Sequence, residues 1–255
     1  MIKNIYNILP KSLKETSKEV YYNLFKKEKF SRTKGVYNTL FMNGITVQSK
    51  KPMYFIVDDI HKYEEFYTIK EGDVVLDAGA NEGYLSIYYS KKVKENGAVF
   101  AFEPDSINIL EMNNNIQLNA NPKNISIFKD LLWNINTELD FFEAGNVASS
   151  IHIKPKGAKK VKRNAITLNT FSENENLKRL DFIKMDIEGA EIEALDGCED
   201  VIKKYKPNFA IASYHIVNDD YTYKKVEEFF TKISYPYKTV FYKDGEIITF
   251  AGENL

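Results

Sequence analysis

The feature that most constrains the fold is an alternation, from Glu71 onward, of short apolar runs with segments whose apolar residues recur at helical spacing. Within residues 106 to 119, for example, Ile109, Met112 and Ile116 share one helix face. Such an alternation indicates βαβ units, in which covering helices connect parallel strands. The apolar runs are VVLDAG, AVFAFEP, ISIFKDLLW, LDFIKMDIE and NFAIASYH. The pattern therefore predicts an α/β domain with a parallel sheet covered by helices.

The region before this alternation has a different texture. Residues 1 to 34 are lysine-rich with apolar residues at helical spacing, which predicts one or two amphipathic helices. In VYNTLFMNGITVQ, the pair Asn43-Gly44 separates two β-prone runs and predicts a hairpin, and we expect a further strand at Met53 to Val57. We therefore divide the chain into an N-terminal helix-and-hairpin extension, residues 1–70, and an α/β domain, residues 71–255.

The segment between Phe128 and Phe171 interrupts the alternation. Its runs LDFF, SSIHI and NAITLNTF lack helical spacing and predict antiparallel strands. It also contains KPKGAKKVKR, residues 154 to 163, with six basic residues in ten. Such a patch suits a phosphorylated or nucleotide-linked glycan or nucleic acid, but it is equally typical of a solvated loop. The sequence leaves these alternatives open.

Composition excludes several functional classes. The 35 Lys and Arg residues nearly balance the 36 Asp and Glu residues, so no overall field would draw the protein onto nucleic acid or an anionic membrane. The single cysteine, Cys198, rules out an intrachain disulfide and argues against a cysteine-ligated zinc site. No run approaches the roughly 18 apolar residues of a membrane span, and the start has no signal-peptide stretch. We therefore expect a cytoplasmic protein without a membrane span or a nucleic-acid partner.

A glycine-containing turn in VVLDAGANEGYLS is the first candidate for a binding site. An apolar run ends at Asp77, a loop with Gly79, Asn81 and Gly83 follows, and a helical pattern then begins. Glycines at a strand-to-helix turn let the backbone approach a ligand, and the helix N-terminus offers unpaired N–H groups. The form of this turn is typical of loops that bind nucleoside cofactors.

A second element supports this interpretation. Glu103 lies 24 residues after Gly79, at the end of the next apolar run, where a carboxylate can accept hydrogen bonds from both ribose hydroxyls. A dinucleotide would need Gly-x-Gly-x-x-Gly, yet the corresponding positions hold Gly79, Asn81 and Tyr84. Asp77 and Glu82 would also surround the loop with carboxylates, which suits an ammonium and a sulfonium better than a pyrophosphate. These residues favour S-adenosylmethionine.

Charged residues on a later strand indicate where chemistry occurs. Lys184, Asp186 and Glu188 alternate along LDFIKMDIEGAE, and charges in such a buried strand are costly unless they pair or act. His215 ends another apolar run, NFAIASYH. Because ligands bind beyond the carboxyl ends of parallel strands, we expect these side chains to meet near Asp77 and Glu103.

Taken together, several segments resemble the FkbM family of S-adenosylmethionine-dependent methyltransferases over roughly residues 53 to 215. The segments are GDVVLDAGANEGYLS, FAFEPD, ITLNTF, DFIKMDIEGAEIEALDG and SYH. The resemblance implies the Rossmann-like class I methyltransferase fold, a mainly parallel seven-stranded sheet flanked by helices, with an antiparallel strand near one edge. It also implies O-methylation, typically of sugar hydroxyls in glycans, glycolipids or secondary metabolites.

The resemblance also implies roles for individual residues. By matching position, four residues would hold the methionine part of the cofactor, and Glu103 would hold its ribose. Asp130 or Leu131, after the third strand, would lie near the adenine. The four residues at the methionine part are Asp77, Gly79, Asn81 and Gly83.

A sugar hydroxyl has a pKa far above 7, so a base or a metal must help to remove its proton. We hypothesise that Asp186 and His215 flank the acceptor, one of them as the base, and that Lys184 or Glu188 orients the other. An alternative adds a magnesium ion bound by acidic residues. Its oxygen ligands would be Asp186, Glu188, Asp219 and Asp220.

Two rival functions are kept open. One is a non-catalytic module of the same fold that binds the cofactor or a nucleoside without turnover. The other is a nucleic-acid methyltransferase, although the chain has neither an Asp/Asn-Pro-Pro-Tyr motif nor a cysteine placed to attack cytosine. The acceptor and the oligomeric state are not identified by any matching residue.

Overall fold

The computed structural model describes residues 11–54, 56–145, 149, 151 and 156–255. A central sheet of seven strands has the order β14-β15-β11-β10-β4-β5-β6. Neighbouring strands from β11 to β6 are parallel, whereas β15 is antiparallel to both β11 and β14. The strands are β4 (Val74–Ala78), β5 (Ala98–Phe102), β6 (Ile125–Phe128), β10 (Phe182–Met185), β11 (Asn208–Ala212), β14 (Tyr237–Phe241) and β15 (Ile247–Ala251). The α/β architecture and the antiparallel strand near one edge are therefore confirmed.

Helices cover both faces of this sheet. They are α3 (Tyr84–Val93), α4 (Ser106–Leu118), α5 (Leu168–Asn174), α6 (Glu191–Asp196), α7 (Glu199–Tyr205) and α8 (Thr222–Lys232). Successive strand residues face opposite layers. In β4, Val75 belongs to the apolar cluster that contains Tyr89 of α3, and Leu76 belongs to the cluster that contains Phe230 of α8. The near-continuous apolar runs of the sequence follow from this burial on both faces.

The N-terminal extension consists of helix, antiparallel sheet and helix. Its elements are α1 (Lys11–Phe25), β1 (Lys29–Thr33), β2 (Val36–Leu40), β3 (Thr46–Ser49) and α2 (Ile56–Tyr63). The hairpin around Asn43-Gly44 is confirmed, because Leu40 pairs with Thr46 and Gly44 has φ 81°. Residues 1–10 of the predicted helical region lie outside the described residues. The helix predicted for the rest is confirmed at Lys11–Phe25 but is wrong at Lys29–Thr33, because this run pairs with β2 across a turn at Lys34 and Gly35, both with positive φ. Among the described residues, no helix combines the length and apolar character needed to cross a bilayer.

The strand expected at Met53 to Val57 is wrong, because helix α2 begins at Ile56. The β-prone residues of this run were outweighed by helical spacing, since Val57, Ile60 and Tyr63 are buried on one side of the helix. They join Val75 and Phe182 of the central sheet in one apolar cluster. The core of the extension is therefore continuous with that of the α/β domain.

The antiparallel pairing expected between Phe128 and Phe171 is found in part, in a small separate sheet of order β7-β9-β8. Its strands are β7 (Leu131–Leu132), β8 (Thr137–Glu143) and β9 (Lys159–Ile166); β8 pairs antiparallel with β9, whereas β7 pairs parallel with it. The end of the NAITLNTF run is helical instead, because the Thr167 hydroxyl accepts from the backbone N–H of Thr170 and caps helix α5. Ser150, His152 and Ile153 of the expected SSIHI strand lie outside the described residues, as does Lys154 of the basic patch. Two short strands, β12 (Ile216–Val217) and β13 (Asp220–Tyr221), complete the fold.

Cross-strand ion pairs neutralise part of the basic patch. Lys160 lies 2.6 Å and Lys162 lies 3.1 Å from carboxylate oxygens of Asp140, and Arg163 pairs with Glu143. Opposite charges that face each other across a sheet stabilise the strand pairing. The patch therefore presents less free positive charge to a phosphate than its sequence suggests.

A buried ion pair connects the two central strands. Asp77 of β4 and Lys184 of β10 are register partners, and their charged atoms lie 3.2 Å apart with both side chains almost fully buried. The ammonium also donates to the carbonyl oxygens of Ala78 and Gly79 at 3.0 and 2.8 Å. Ser86 of α3 donates to the other oxygen of Asp77 at 2.6 Å. Two hydrogen bonds and one ion pair therefore hold the ammonium in place, so Lys184 has a structural task at the end of β4.

Lys184→Met should lower the free energy of unfolding by about 3 to 5 kcal/mol, because it leaves the Asp77 carboxylate buried without its partner. The double variant Asp77→Asn/Lys184→Met should lose less than Lys184→Met alone, since no charge remains buried. Urea titration followed by circular dichroism measures both. Lys224→Met, which breaks the exposed pair with Asp220, is the matched control and should unfold like wild type. Equal losses in the single and double variants would contradict this account.

Candidate active site

One cavity of about 290 Å³ opens at the carboxyl ends of the central strands. Its wall combines three sources: the turn after β4, the segments that follow β5, β6 and β10, and part of the N-terminal extension. The lining residues include Lys51, Asp59, Tyr63, Gly79, Asn81, Glu82, Glu103, Asp130, Leu131, Lys184, Asp186 and Glu188. The cavity thus brings together most of the residues that the sequence singled out.

The turn after β4 packs tightly against the end of β10. Gly79 has φ 76°, and a Cβ at this position would lie 1.8 Å from the carbonyl oxygen of Asp186. No other residue type fits so close an approach in this backbone conformation. Asn81 follows with φ 50°, a left-handed conformation that Asn tolerates well. Gly79 and Asn81 therefore lie at the cavity wall, as the sequence led us to expect.

Gly83 and Asp77 lie elsewhere. A Cβ on Gly83 would lie 2.4 Å from Cγ of Met112, so this glycine allows α3 to pack against α4. Asp77 is fully buried below the turn and is not among the described residues that line the cavity. We expected the Asp77 carboxylate to add negative charge around the loop after β4. It does not, because Lys184 balances that charge. Lys184 reaches the wall, but its ammonium is directed at Asp77 and the two carbonyl oxygens.

Glu103 follows β5 and points into the cavity. The backbone N–H groups of Asn81 and Asp105 donate to its two oxygens at 2.7 and 2.9 Å, and Asn108 donates at 3.4 Å. Burial raises the pKa of Glu103 to about 7 against the opposing effect of these donors, and the nearby Asp105 charge adds to the increase. Asp130 and Leu131, which follow β6, line the same part of the cavity.

At the other end of the cavity, three carboxylates surround one imidazole. Nε2 of His215 lies 3.6 Å from Oδ1 of Asp186 and 3.8 Å from Oε2 of Glu188, and Nδ1 lies 3.2 Å from Oε1 of Glu191. Burial alone would lower the pKa of His215, but Glu191, Glu188 and Asp186 raise it to about 11. His215 is not among the described residues that line the cavity, but it contacts Asp186 and Glu188, which are.

Two of these side chains are held by further contacts. The Tyr63 hydroxyl of α2 donates to Oδ2 of Asp186 at 3.0 Å. Glu191, at the start of α6, is fully buried and accepts from the backbone N–H groups of Ile187 and Gly189 at 3.0 and 3.3 Å. We call Asp186, Glu188, Glu191 and His215 the acidic cluster. A residue of the extension holds Asp186, and backbone N–H groups just before α6 hold Glu191.

Sequence reasoning missed the contributions of the extension and of Glu191. Asp59 lines the cavity. Burial, followed by the negative charge of Glu246, raises the pKa of Asp59 to about 7, whereas Lys62 opposes this increase. Lys51 pairs with Glu82 across the wall. Helical spacing at 57, 60 and 63 was the signal that would have placed Asp59 and Tyr63 on a helix.

The proposed magnesium ligands are only partly brought together. Among the described residues, Asp186, Glu188 and His215 offer ligand atoms that all lie within 4.8 Å of one another. Asp219 and Asp220 are not part of this group: both are exposed, and Asp220 pairs with Lys224 at 2.7 Å. The prediction of four carboxylate ligands is therefore wrong. The side chain that lies beside Asp186 and Glu188 is His215.

Comparison with known proteins agrees with this geometry. The family model of the methyltransferase FkbM domain matches residues 77–237, which is more than half of the chain. An FkbM methyltransferase structure from Methylobacillus flagellatus aligns with a TM-score of 0.54 and 18% identity, over 73% of this chain and 45% of that one. This chain thus spans a little under half the length of that protein. No curated protein sequence matches significantly.

Two other methyltransferase structures align less closely. An S-adenosylmethionine-dependent methyltransferase from Aquifex aeolicus gives a TM-score of 0.47 at 16% identity, covering 76% of this chain and 92% of that one. Precorrin-6y C5,15-methyltransferase from Geobacter metallireducens gives a TM-score of 0.48 at 14% identity, covering 87% of this chain and 92% of that one. Both scores are too low to support an inference. On the family match over residues 77–237, and with a fold like that of the Methylobacillus protein, the chain belongs to the FkbM methyltransferase family.

Proposed function

We propose that this enzyme is an O-methyltransferase that acts on a hydroxyl of a sugar, glycan or glycan-like metabolite. One observation carries the proposal: Glu103, a buried carboxylate suited to a ribose, and Asp186, which lies beside His215 and Glu188, line the same cavity. A methyl donor bound at Glu103 and a hydroxyl bound at Asp186 would therefore meet in one space. The family resemblance to O-methyltransferases of sugars supports the choice of acceptor.

The residues at the Glu103 end fit S-adenosylmethionine. Glu103 presents a carboxylate that is already fixed by two backbone N–H groups, so it can accept from ribose hydroxyls without rearranging. We assign the methionine part to the turn at Gly79 and Asn81, and the adenine to the wall at Asp130 and Leu131. When bound, the cofactor supplies an electrophilic methyl group. Asp77 and Gly83 support this turn indirectly. Asp77 does so by its ion pair with Lys184, and Gly83 by its close packing against Met112.

The residues at the Asp186 end fit a hydroxyl acceptor. Asp186 lines the cavity, and its Oδ2, held by Tyr63, is the oxygen that can accept the hydroxyl proton, because Oδ1 is buried beside His215. We assign the base role to Asp186 and a positioning role to His215, because in the metal-free protein the surrounding carboxylates keep His215 protonated at neutral pH. Glu188 and Asp59 add acceptors for neighbouring hydroxyl groups of a sugar.

The rival functions are less well supported. A non-catalytic module would not need the acidic cluster, whose buried charges are costly to retain. A nucleic-acid acceptor is disfavoured because most of the charged residues in the cavity wall are acidic and the basic strand β9 is paired with acids of β8. The single, buried Cys198 also fits a reducing compartment such as the cytoplasm.

Binding of S-adenosylmethionine should weaken as the pH falls through about 7, because protonated Glu103 no longer accepts from both ribose hydroxyls. If only the carboxylate form binds, calorimetric titration should show an affinity about tenfold lower at pH 6 than at pH 8. Protonating a carboxyl whose pKa is raised by folding stabilises the unliganded fold, so this loss is not caused by unfolding. Glu103→Gln should bind weakly at both pH values. A wild-type affinity that stays constant from pH 6 to 8 would contradict the assignment.

Asp186→Asn should lower kcat by about 10²-fold or more, since it removes the base and keeps the shape of the side chain. His215→Ala should lower kcat with little change in KM for the cofactor, as expected of a residue that orients Asp186. Asp219→Asn, an exposed acid outside the cluster, is the matched control and should turn over like wild type. Turnover of Asp186→Asn close to that of the control would overturn the base assignment.

The function itself is tested with isotopically labelled S-adenosylmethionine and separate pools of nucleotide-linked sugars, lipid-linked glycans and RNA. We expect label on a hydroxyl oxygen of a sugar or glycan, identified by mass spectrometry. Label in RNA would establish the nucleic-acid alternative. Tight cofactor binding without transfer to any pool would establish the non-catalytic alternative.

A further inference from the structure

The acidic cluster contains buried ligand atoms that lack hydrogen-bond partners within the described part of the chain. Nε2 of His215 and Oδ1 of Asp186 make no hydrogen bond there, although both atoms are inaccessible to solvent. The side chain of His215 is only 9% exposed. Buried polar atoms are costly to leave unpaired, so such a group in a folded protein calls for an explanation.

The spacing of these atoms is that of ligands around a common ion. The distances from Nε2 of His215 to Oδ1 of Asp186 and Oε2 of Glu188, 3.6 and 3.8 Å, are too long for hydrogen bonds. Ligand atoms about 2.1 Å from one ion lie roughly 3 to 4 Å from each other. The two distances from His215 therefore match those around a shared ion, and all three ligand atoms lie within 4.8 Å of one another.

The outer contacts of the cluster also resemble those of metal ligands. Nδ1 of His215 lies 3.2 Å from Glu191, which matches the carboxylate that usually orients a ligating imidazole. Tyr63 donates to Oδ2 of Asp186 and leaves Oδ1 directed at the cluster. Both ligands are thus held through the atom that would not contact the ion.

We propose that Asp186, Glu188 and His215 form a three-ligand binding site for a divalent transition-metal ion. One imidazole with two carboxylates suits Mn²⁺, Fe²⁺ or Zn²⁺ better than Mg²⁺, which prefers oxygen ligands alone. Because Asp186 and Glu188 line the cavity, the open positions of the ion would face the acceptor. That role for the ion rests on the proposed function, whereas metal binding itself does not.

The test uses Mn²⁺ as the probe, added to the full chain after dialysis against a chelator, with no cofactor or acceptor present. Calorimetry should show one saturable site, and pulsed electron paramagnetic resonance should show coupling to a histidine nitrogen. His215→Ala should abolish that coupling and weaken binding by at least 100-fold, and Glu191→Gln should weaken it by about 10- to 100-fold. Glu82→Gln removes an acid of the same cavity outside the cluster and should bind like wild type. Thermal melts check that every variant is folded.

Several results would overturn the site: no saturable Mn²⁺ binding below millimolar concentration, binding without nitrogen coupling, or binding that His215→Ala leaves unchanged. In each case the cluster would be an ion pair between a protonated histidine and its carboxylates. Failure of this inference is distinguishable from failure of the proposed function. Metal-free enzyme that methylates a sugar removes the site and keeps the function, whereas Mn²⁺ binding without methyl transfer keeps the site and removes the function.

Discussion

The contact between the ends of β4 and β10 determines the geometry of the whole site. Lys184 pairs with Asp77 and donates to the carbonyl oxygens of Ala78 and Gly79, while Gly79 itself lies against the carbonyl of Asp186. The turn assigned to the cofactor and the strand end that carries the acid-base cluster therefore form one rigid unit. Methyl transfer needs the two reactants aligned about 3 to 3.5 Å apart, so rigidity at this junction has a direct chemical purpose.

The N-terminal extension is an integral part of this site. Its helix α2 packs into the same apolar cluster as the central sheet and supplies Tyr63, which holds Asp186, and Asp59, which lines the cavity. The ion pair of Lys51 with Glu82 adds a second connection between the extension and the turn after β4. The extension thus forms part of the cavity wall, next to the residues to which we assign the acceptor.

Sequence reasoning predicted the sheet, the hairpin at Asn43-Gly44 and the location of Glu103 and Asp186, because each depends on local spacing or on the rule that strand ends converge. It could not predict partners that depend on register. Asp77 and Lys184 neutralise each other only because β4 and β10 align them, and that pairing removes Asp77 from the cavity wall. Helix α2 was missed because its first residues are β-prone and were given more weight than the helical spacing of Val57, Ile60 and Tyr63.

The central claim is that cofactor and acceptor meet in this single cavity, with Glu103 at one end and Asp186 at the other. A crystal structure with S-adenosylhomocysteine bound tests it most directly. We expect the ribose hydroxyls to lie on the Glu103 carboxylate and the sulfur to be directed toward Asp186. A ligand in the reverse orientation, or bound outside this cavity, would show that the cofactor assignment is wrong.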